Sequence, residues 1–222
     1  MFEPAVMHPF PRGQTINLHP WKHNEVPVLL GAALREKSAI VVLHLGRPPI
    51  ETADRARLAI ASHFEAGRGT YLVRDYQTGL SRGGAIIAQG TSSIVSPIKI
   101  LPELERRVLN VKIVHRPSPE RFPLQPESFR KHLLSDADRS NSTVISTQSW
   151  EAMRDWMSNE VGEEHAMTAD WDNRWRTGAT VEEVLEEAHL SPDRLLKGIE
   201  HFVKERDQRL SQLEARIKAA RG

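Results

Sequence analysis

The chain has 222 residues and a formal net charge of +1, from 30 Lys and Arg against 29 Asp and Glu, and it contains no cysteine. That balance projects no long-range field of either sign, so neither nucleic acid nor an acidic membrane surface is an expected partner. Disulfides and thiolate metal sites are excluded outright, which suits a reducing cytoplasm, the expected location. No apolar run approaches the roughly 20 residues needed to span a bilayer. Met1 to Arg12 carry Glu3, Pro4, Pro9 and Pro11, and so do not read as a signal peptide.

Residues 1 to about 22 are proline-rich and lack a clear period, as in an extended arm laid on something larger. A helix is predicted from His23-Asn24-Glu25, with Asn24 as cap and Pro27 in the first turn, ending near Glu36. Ala39 to Leu45 is a continuous β-branched run, the pattern of a strand buried on both faces in a parallel sheet. Residues 46 to 68 form a connection broken by Pro48, Pro49 and Gly67, and the internal boundary is placed near Arg68. Strands are predicted over Thr70 to Tyr76, Ala85 to Gln89 and Val111 to His115. Between the last two lies a helix over about 93 to 108 that Pro97 and Pro102 kink or break.

Pro126 to Leu134 reads as a short helix, Thr143 to Thr147 as a strand, and Trp150 to Val161 as an amphipathic helix. A weak last strand is expected around 163 to 169. Thr180-Val-Glu-Glu183 fits a capping box. Ser191-Pro192 opens a final helix whose apolar stripe runs through Leu196, Ile199, Val203, Leu210, Leu213 and Ile217. Unbroken from Pro192 to Ala220, it is roughly 43 Å long at about 1.5 Å per residue. Its outer half then either packs on a second subunit as a short coiled coil or lies solvated along its own domain. Strands alternating with helices predict a three-layer α/β/α sandwich with a mainly parallel five-stranded sheet, an N-terminal arm and a long C-terminal helix.

The ordered segments Ala39 to Pro49, Gly67-Arg-Gly-Thr-Tyr-Leu-Val-Arg-Asp75, Ala88-Gln-Gly-Thr-Ser92 and Val111-Lys-Ile-Val-His-Arg-Pro-Ser118 together resemble the carboxyl-terminal third of a transketolase. The resemblance covers about Lys22 to Lys204. It implies that residues 1–68 are an arm plus the end of the pyrimidine-binding domain, and that 69–222 are the C-terminal domain. The full enzyme would move a two-carbon ketol unit between sugar phosphates, using thiamine diphosphate and a divalent metal. Arg47 falls at the family's substrate-phosphate arginine, where a guanidinium offers a planar fork to phosphate oxygens. Here its neighbours are Gly46 and Pro48 in place of the usual Ser and Gln.

The Gly-Asp-Gly…Asn motif that holds the diphosphate and metal is missing, and the family's cofactor-activating glutamate lies upstream of the matched segment. Glu25 and Glu51 do not sit at its place. No catalytic, cofactor-binding or metal residue is therefore assigned in this chain, which is expected to be inactive by itself. Its expected partners are the amino-terminal part of a transketolase, on the same chain or on a separate subunit of a split enzyme, and a second copy in a homodimer. The equivalent domain of a 2-oxoacid dehydrogenase or of a deoxyxylulose phosphate synthase is a related reading. A different one is a free-standing α/β dimerisation or regulatory module, with the strand-to-helix turn Gly90, Thr91, Ser92 and Ser93 as an anion pocket.

Smaller constellations carry less. Among ten histidines, His19 and His23 are four apart but separated by Pro20, and no His-Glu-x-x-His occurs. His44 and His115, at strand ends, read as hydrogen-bonded structural or subsite residues. Trp171 to Gly178 holds two indoles and two guanidiniums, which either bind a planar or anionic ligand or form a loop pinned by buried tryptophans.

Overall fold

The computed structural model describes residues 13–46, 53–172, 174, 176 and 178–221. Strand β1 (Thr15–Leu18) pairs in parallel with β2 (Ile40–Leu43), and helix α1 (Val26–Arg35) connects them. A strand thus replaces part of the expected arm. It forms because Ile16 and Leu18 bury against Leu29 and Ala33 of α1 while Asn17, on the alternate face, meets Glu120 and His44. The α1 start differs in detail: His23–Glu25 is a 3-10 turn, and Asn24 does not cap it.

β2 corrects an expectation. Its residues are half-buried, with Ile40 37% exposed, where a strand covered on both faces was predicted. The apolar pattern is that of an interior strand, but the described residues give β2 no strand neighbour other than β1.

The main sheet has five strands in the order β3-β5-β4-β6-β7: β3 (Tyr71–Arg74), β4 (Gly84–Gln89), β5 (Val111–His115), β6 (Ser142–Ser146) and β7 (Met167–Thr168). β4 lies at the centre, parallel to β5 from Gly84↔Val111 and to β6 from Ala85↔Ser142; only β3 runs antiparallel. Alternation along the strands divides the interior into two cores. Ile86, Ala88, Ile113 and Ile145 face helix α2 (Thr91–Lys99), helix α8 (Pro192–Lys204) and the β1–β2 unit. Ala85, Ile87, Val114 and Val144 face Phe122, Met153, Trp156 and the end of helix α4 (Glu127–Leu133). Each fully buried isoleucine contributes roughly 1.5–3 kcal/mol relative to exposure. Two such layers on one sheet make the predicted three-layer sandwich.

The expected 93–108 helix is two, α2 and α3 (Leu101–Arg106), parted at Ile100 with Pro102 in the first turn of the second. A short helix α5 (Asp136–Ser140) was not foreseen. Residues 150–161 are not one amphipathic helix: Trp150–Trp156 is a 3-10 helix, and α6 (Glu160–Glu163) starts afresh from the Asn159 cap. The three-residue spacing of Trp150, Met153 and Trp156 aligns them on one edge of the 3-10 turn, two of them fully buried.

Helix α7 (Val181–Glu187) has the predicted capping box at Thr180 and Glu183. The C-terminal helix is also divided, into α8 and α9 (Arg206–Ala219), with the junction at Glu205 beside the one break in the apolar stripe.

Candidate functional site

Most buried polar side chains of the N-terminal unit gather in one seam between the β1–β2 unit and the β3 and β5 strands. The chain leaves β1 through His19, Trp21 and Lys22 and reaches Glu25, all buried. Glu25 Oε2 accepts from the Trp21 backbone N–H at 2.7 Å. Its Oε1 accepts from Arg55 Nη2 at 2.5 Å and from the Tyr71 hydroxyl at 2.6 Å. Arg55 also donates to the Ala61 carbonyl at 3.0 Å, and its guanidinium lies over the rings of Trp21 and Tyr71 at 4.7 and 5.1 Å. One carboxylate therefore fastens the start of α1 to β3 and to the 53–61 segment.

The seam continues on both sides. Tyr71 meets the His115 ring edge-on at 5.3 Å. His19 stacks on His44 at 4.3 Å, and His44 Nε2 sits 3.0 Å from Asn17 Oδ1. Asn17 in turn donates its side-chain and backbone N–H groups to Glu120 at 2.8 and 3.0 Å. Burial, reinforced by the Glu25 charge, raises the Tyr71 pKa well above 10. Burial, with the charges of Arg55 and His19, holds His115 well below the ordinary imidazole value. Both groups are therefore neutral at pH 7, around a paired Arg–Glu charge.

The turn Gly90 to Ser93 lies where β4 and β6 send their chains to opposite faces, the position at which such sheets bind ligands. Here its hydroxyls serve the fold: Thr91 donates to the Pro20 carbonyl at 3.2 Å, and Ser93 Oγ accepts from the Thr147 backbone N–H at 2.9 Å. Gln89 and Gln148 close the adjacent strand ends at 2.7 Å. Ser92 faces a groove of about 1060 Å³ between the 53–58 segment, α2 and α7. Lys22, Arg57 and Lys99 line that groove together with Asp54, Glu182 and Glu186, so it presents no single sign of charge. Arg47, assigned by resemblance, lies outside the described residues.

The Trp171 segment is held differently from expectation. Trp171 is 51% exposed and stacks on His189 at 4.0 Å. Asp172 accepts from Arg176 at 2.8 Å and from Arg174 at 2.7 Å, bonds that hold its carboxyl well below the usual range. Guanidinium–carboxylate pairing, and not a buried Trp171 indole, pins this loop; Trp175 lies outside the described residues.

Sequence reasoning missed the Glu25–Arg55–Tyr71 centre. Arg55 sat in what read as a plain connection, and nothing local shows that a residue 30 positions away answers Glu25. It also missed His165, His201 and Glu205, whose ligand atoms all lie within 4.8 Å of one another. The one available signal there was the four-residue spacing of His201 and Glu205 along the last helix.

No family profile and no curated protein matches the sequence. Solved structures do. Transketolase from Leishmania mexicana superposes with a TM-score of 0.71 at 16% identity, over 92% of this chain and 27% of its own. The fold is that of a transketolase segment. A Pichia stipitis transketolase variant solved with fructose 6-phosphate gives a TM-score of 0.68 at 17% identity, again over 92% and 27%. The Campylobacter jejuni transketolase gives 0.58 at 14% identity, over 90% and 28%. The chain thus spans about a quarter of the length of the transketolases it matches, as a carboxyl-terminal part would.

Thiamine diphosphate, which the transketolase fold implies, is not fitted by the seam. A carboxylate that activates the cofactor must be reachable by it, whereas Glu25 is completely buried and accepts from Trp21, Arg55 and Tyr71. Glu25 is a structural acid. Among the described residues, no helix is long and apolar enough to cross a membrane.

Proposed function

We propose that this chain acts as the carboxyl-terminal part of a thiamine-diphosphate-dependent transketolase, within one polypeptide or as one subunit of a split enzyme. The assembled enzyme transfers a two-carbon ketol unit between sugar phosphates. This part contributes folded scaffold and subunit contacts, and the cofactor and its metal sit on the amino-terminal part.

One observation carries the reading: β1 and β2 form a parallel pair to which the described residues add no third strand. Parallel strands normally belong to larger sheets covered on both faces. Beside this pair, Leu34, Ile40 and Leu45 are 69%, 37% and 64% exposed. An open parallel edge flanked by apolar side chains suits continuation of the sheet by the rest of a pyrimidine-binding domain. The match to transketolases over about a quarter of their length supports reading that continuation as the rest of a pyrimidine-binding domain.

The test is reconstitution. The chain, mixed or co-expressed with the amino-terminal part of a transketolase, should co-purify with it and confer ketol transfer from a ketose phosphate. Failure of both association and activity would refute the reading. In the active assembly, Arg47→Ala should raise KM for phosphorylated substrates by about 10–100-fold, the loss of one charge-assisted phosphate contact. An assay with 2-oxoacid substrates separates transketolase from the related dehydrogenase reading.

A further inference from the structure

His165 lies in the turn between α6 and β7, with only 7% of its side chain exposed. His201 is on α8 one turn before its end, and Glu205 occupies the α8–α9 junction. The four-residue spacing puts His201 and Glu205 on one helical face. The Glu205 carboxylate is shared between the imidazoles: Oε2 lies 3.5 Å from His165 Nε2, and Oε1 lies 3.5 Å from His201 Nε2. All three ligand atoms lie within 4.8 Å of one another.

Those separations are longer than the roughly 2.7–3.2 Å of a good N–H···O bond. Each is close to the edge of a coordination tetrahedron. The two run to different oxygens of one carboxylate, within a set whose ligand atoms lie inside 4.8 Å, so a small turn of the exposed His201 and of Glu205 closes the three on one ion. Bonds of about 2.0–2.2 Å from zinc to imidazole nitrogen and carboxylate oxygen place neighbouring ligand atoms about 3.4 Å apart. We propose that His165, His201 and Glu205 form a site for a zinc-type divalent cation that ties the α6–β7 turn to the α8–α9 junction.

The donor set selects the ion. Two imidazoles and one carboxylate suit zinc, cobalt or nickel, whereas magnesium and calcium prefer all-oxygen shells. The scaffold is firm on the His165 side, where the ring packs edge-on against the fully buried Phe202 at 5.5 Å. It is open on the other side, because His201 is 63% exposed, leaving a fourth position for water or for a ligand from another molecule. Glu164 and Glu205 add negative charge around His165, opposed by Arg209, whose guanidinium is engaged on Asn141 and the Gly83 carbonyl. None of this depends on the transketolase assembly.

The test uses the full chain, stripped of metal with a chelator and then dialysed. Titration with Co²⁺ should give the visible absorption of a low-coordinate, nitrogen-ligated ion, displaced by Zn²⁺. Calorimetry with Zn²⁺ alone should show one strong site, and the melting temperature should rise with the logarithm of free Zn²⁺ once its concentration exceeds the dissociation constant. His201→Ala, at an exposed position that leaves the fold intact, and Glu205→Gln should each weaken Zn²⁺ at least about tenfold and remove the cobalt spectrum. His132→Ala, at an exposed histidine elsewhere, should change neither. Absence of a strong site in the unmodified chain would overturn the proposal, as would binding undiminished in His201→Ala and Glu205→Gln.

Discussion

The Tyr71 hydroxyl donates to Glu25 Oε1 at 2.6 Å, joining β3 to the start of α1 across 46 positions of sequence, and Arg55 donates to the same oxygen. The oxygen is fully buried with its residue, so its two donors do different work. Arg55 neutralises the charge, and removing it leaves a carboxylate stranded in the interior. Arg55→Met should cost about 3–5 kcal/mol. Tyr71→Phe removes the bond to Glu25 and the longer 3.2 Å bond from Arg55 but keeps the ion pair, and should cost about 1.5–3 kcal/mol. Urea denaturation of both variants checks the order. The double change Glu25→Gln with Arg55→Met should recover part of the single-variant loss, because no bare charge remains.

His115 gives the seam a pH dependence. Burial, then the Arg55 and His19 charges, depress its pKa well below 6.5 in the folded chain. Above about pH 6.5 both folded and unfolded forms are neutral, and the group contributes nothing. As pH falls below that value, the unfolded chain takes a proton that the folded chain refuses. Stability therefore drops with falling pH until the folded pKa is passed. Both ring nitrogens are also buried without a hydrogen-bond partner among the described residues. His115→Leu should be at least as stable as the parent at pH 7, and should lose less stability between about pH 6.5 and 5. Parallel curves for the two proteins would show that the buried imidazole protonates without unfolding.

Two glycines with nearly the same backbone separate strain from collision. Gly69 has φ +88°, and a Cβ there would lie 2.6 Å from both the Phe122 nitrogen and the Ser118 oxygen. Gly79 has φ +83° with nothing within 4 Å. Gly79→Ala should cost only the left-handed penalty, about 1–2 kcal/mol. Gly69→Ala adds a backbone clash that no side-chain rotation relieves. It should cost clearly more, about 3 kcal/mol or above, and loosen the contact between β3 and the Ser118 turn. Thermal melts of the pair measure the difference directly.

What the sequence made legible follows from the range of the forces involved. The β4 run Gly84 to Gln89 is wholly buried, so its apolar continuity alone marks it as a central strand. The Thr180–Glu183 box and the Pro102 break are local rules and appear as predicted. The Glu25 seam was illegible because its parts come from residues 17, 25, 55, 71, 115 and 120, each unremarkable in its own window. The His165 cluster was half-legible, since two members share a helix face and the third arrives only through packing of the α6–β7 turn. β2 misled for the opposite reason: its pattern anticipates neighbours that the described residues do not supply.

The α8–α9 junction is held by Arg209, and this bears on the long-helix expectation. Arg209 is buried, although it lies on the otherwise exposed C-terminal helix. Its guanidinium caps the Phe202 carbonyl, donates to the Gly83 carbonyl at 3.1 Å and to Asn141 Oδ1 at 3.0 Å, and stacks on the Phe202 ring at 3.7 Å. Burial lowers its pKa to about 10, so it stays charged at neutral pH. The first turns of α9 are therefore anchored within the chain, and Arg216 adds only a surface pair to Glu160. Arg209→Met keeps much of the apolar stem but leaves two backbone carbonyls and Asn141 without this donor. It should cost about 2–4 kcal/mol. Hydrogen exchange should then rise through residues 206–219 and at the Phe202 end of α8, while β4 stays protected. If exchange in α9 is already fast in the parent chain, the anchor does not hold in solution. If it is slow and unchanged by Arg209→Met, contacts with a second copy hold the helix instead, and dilution should release it.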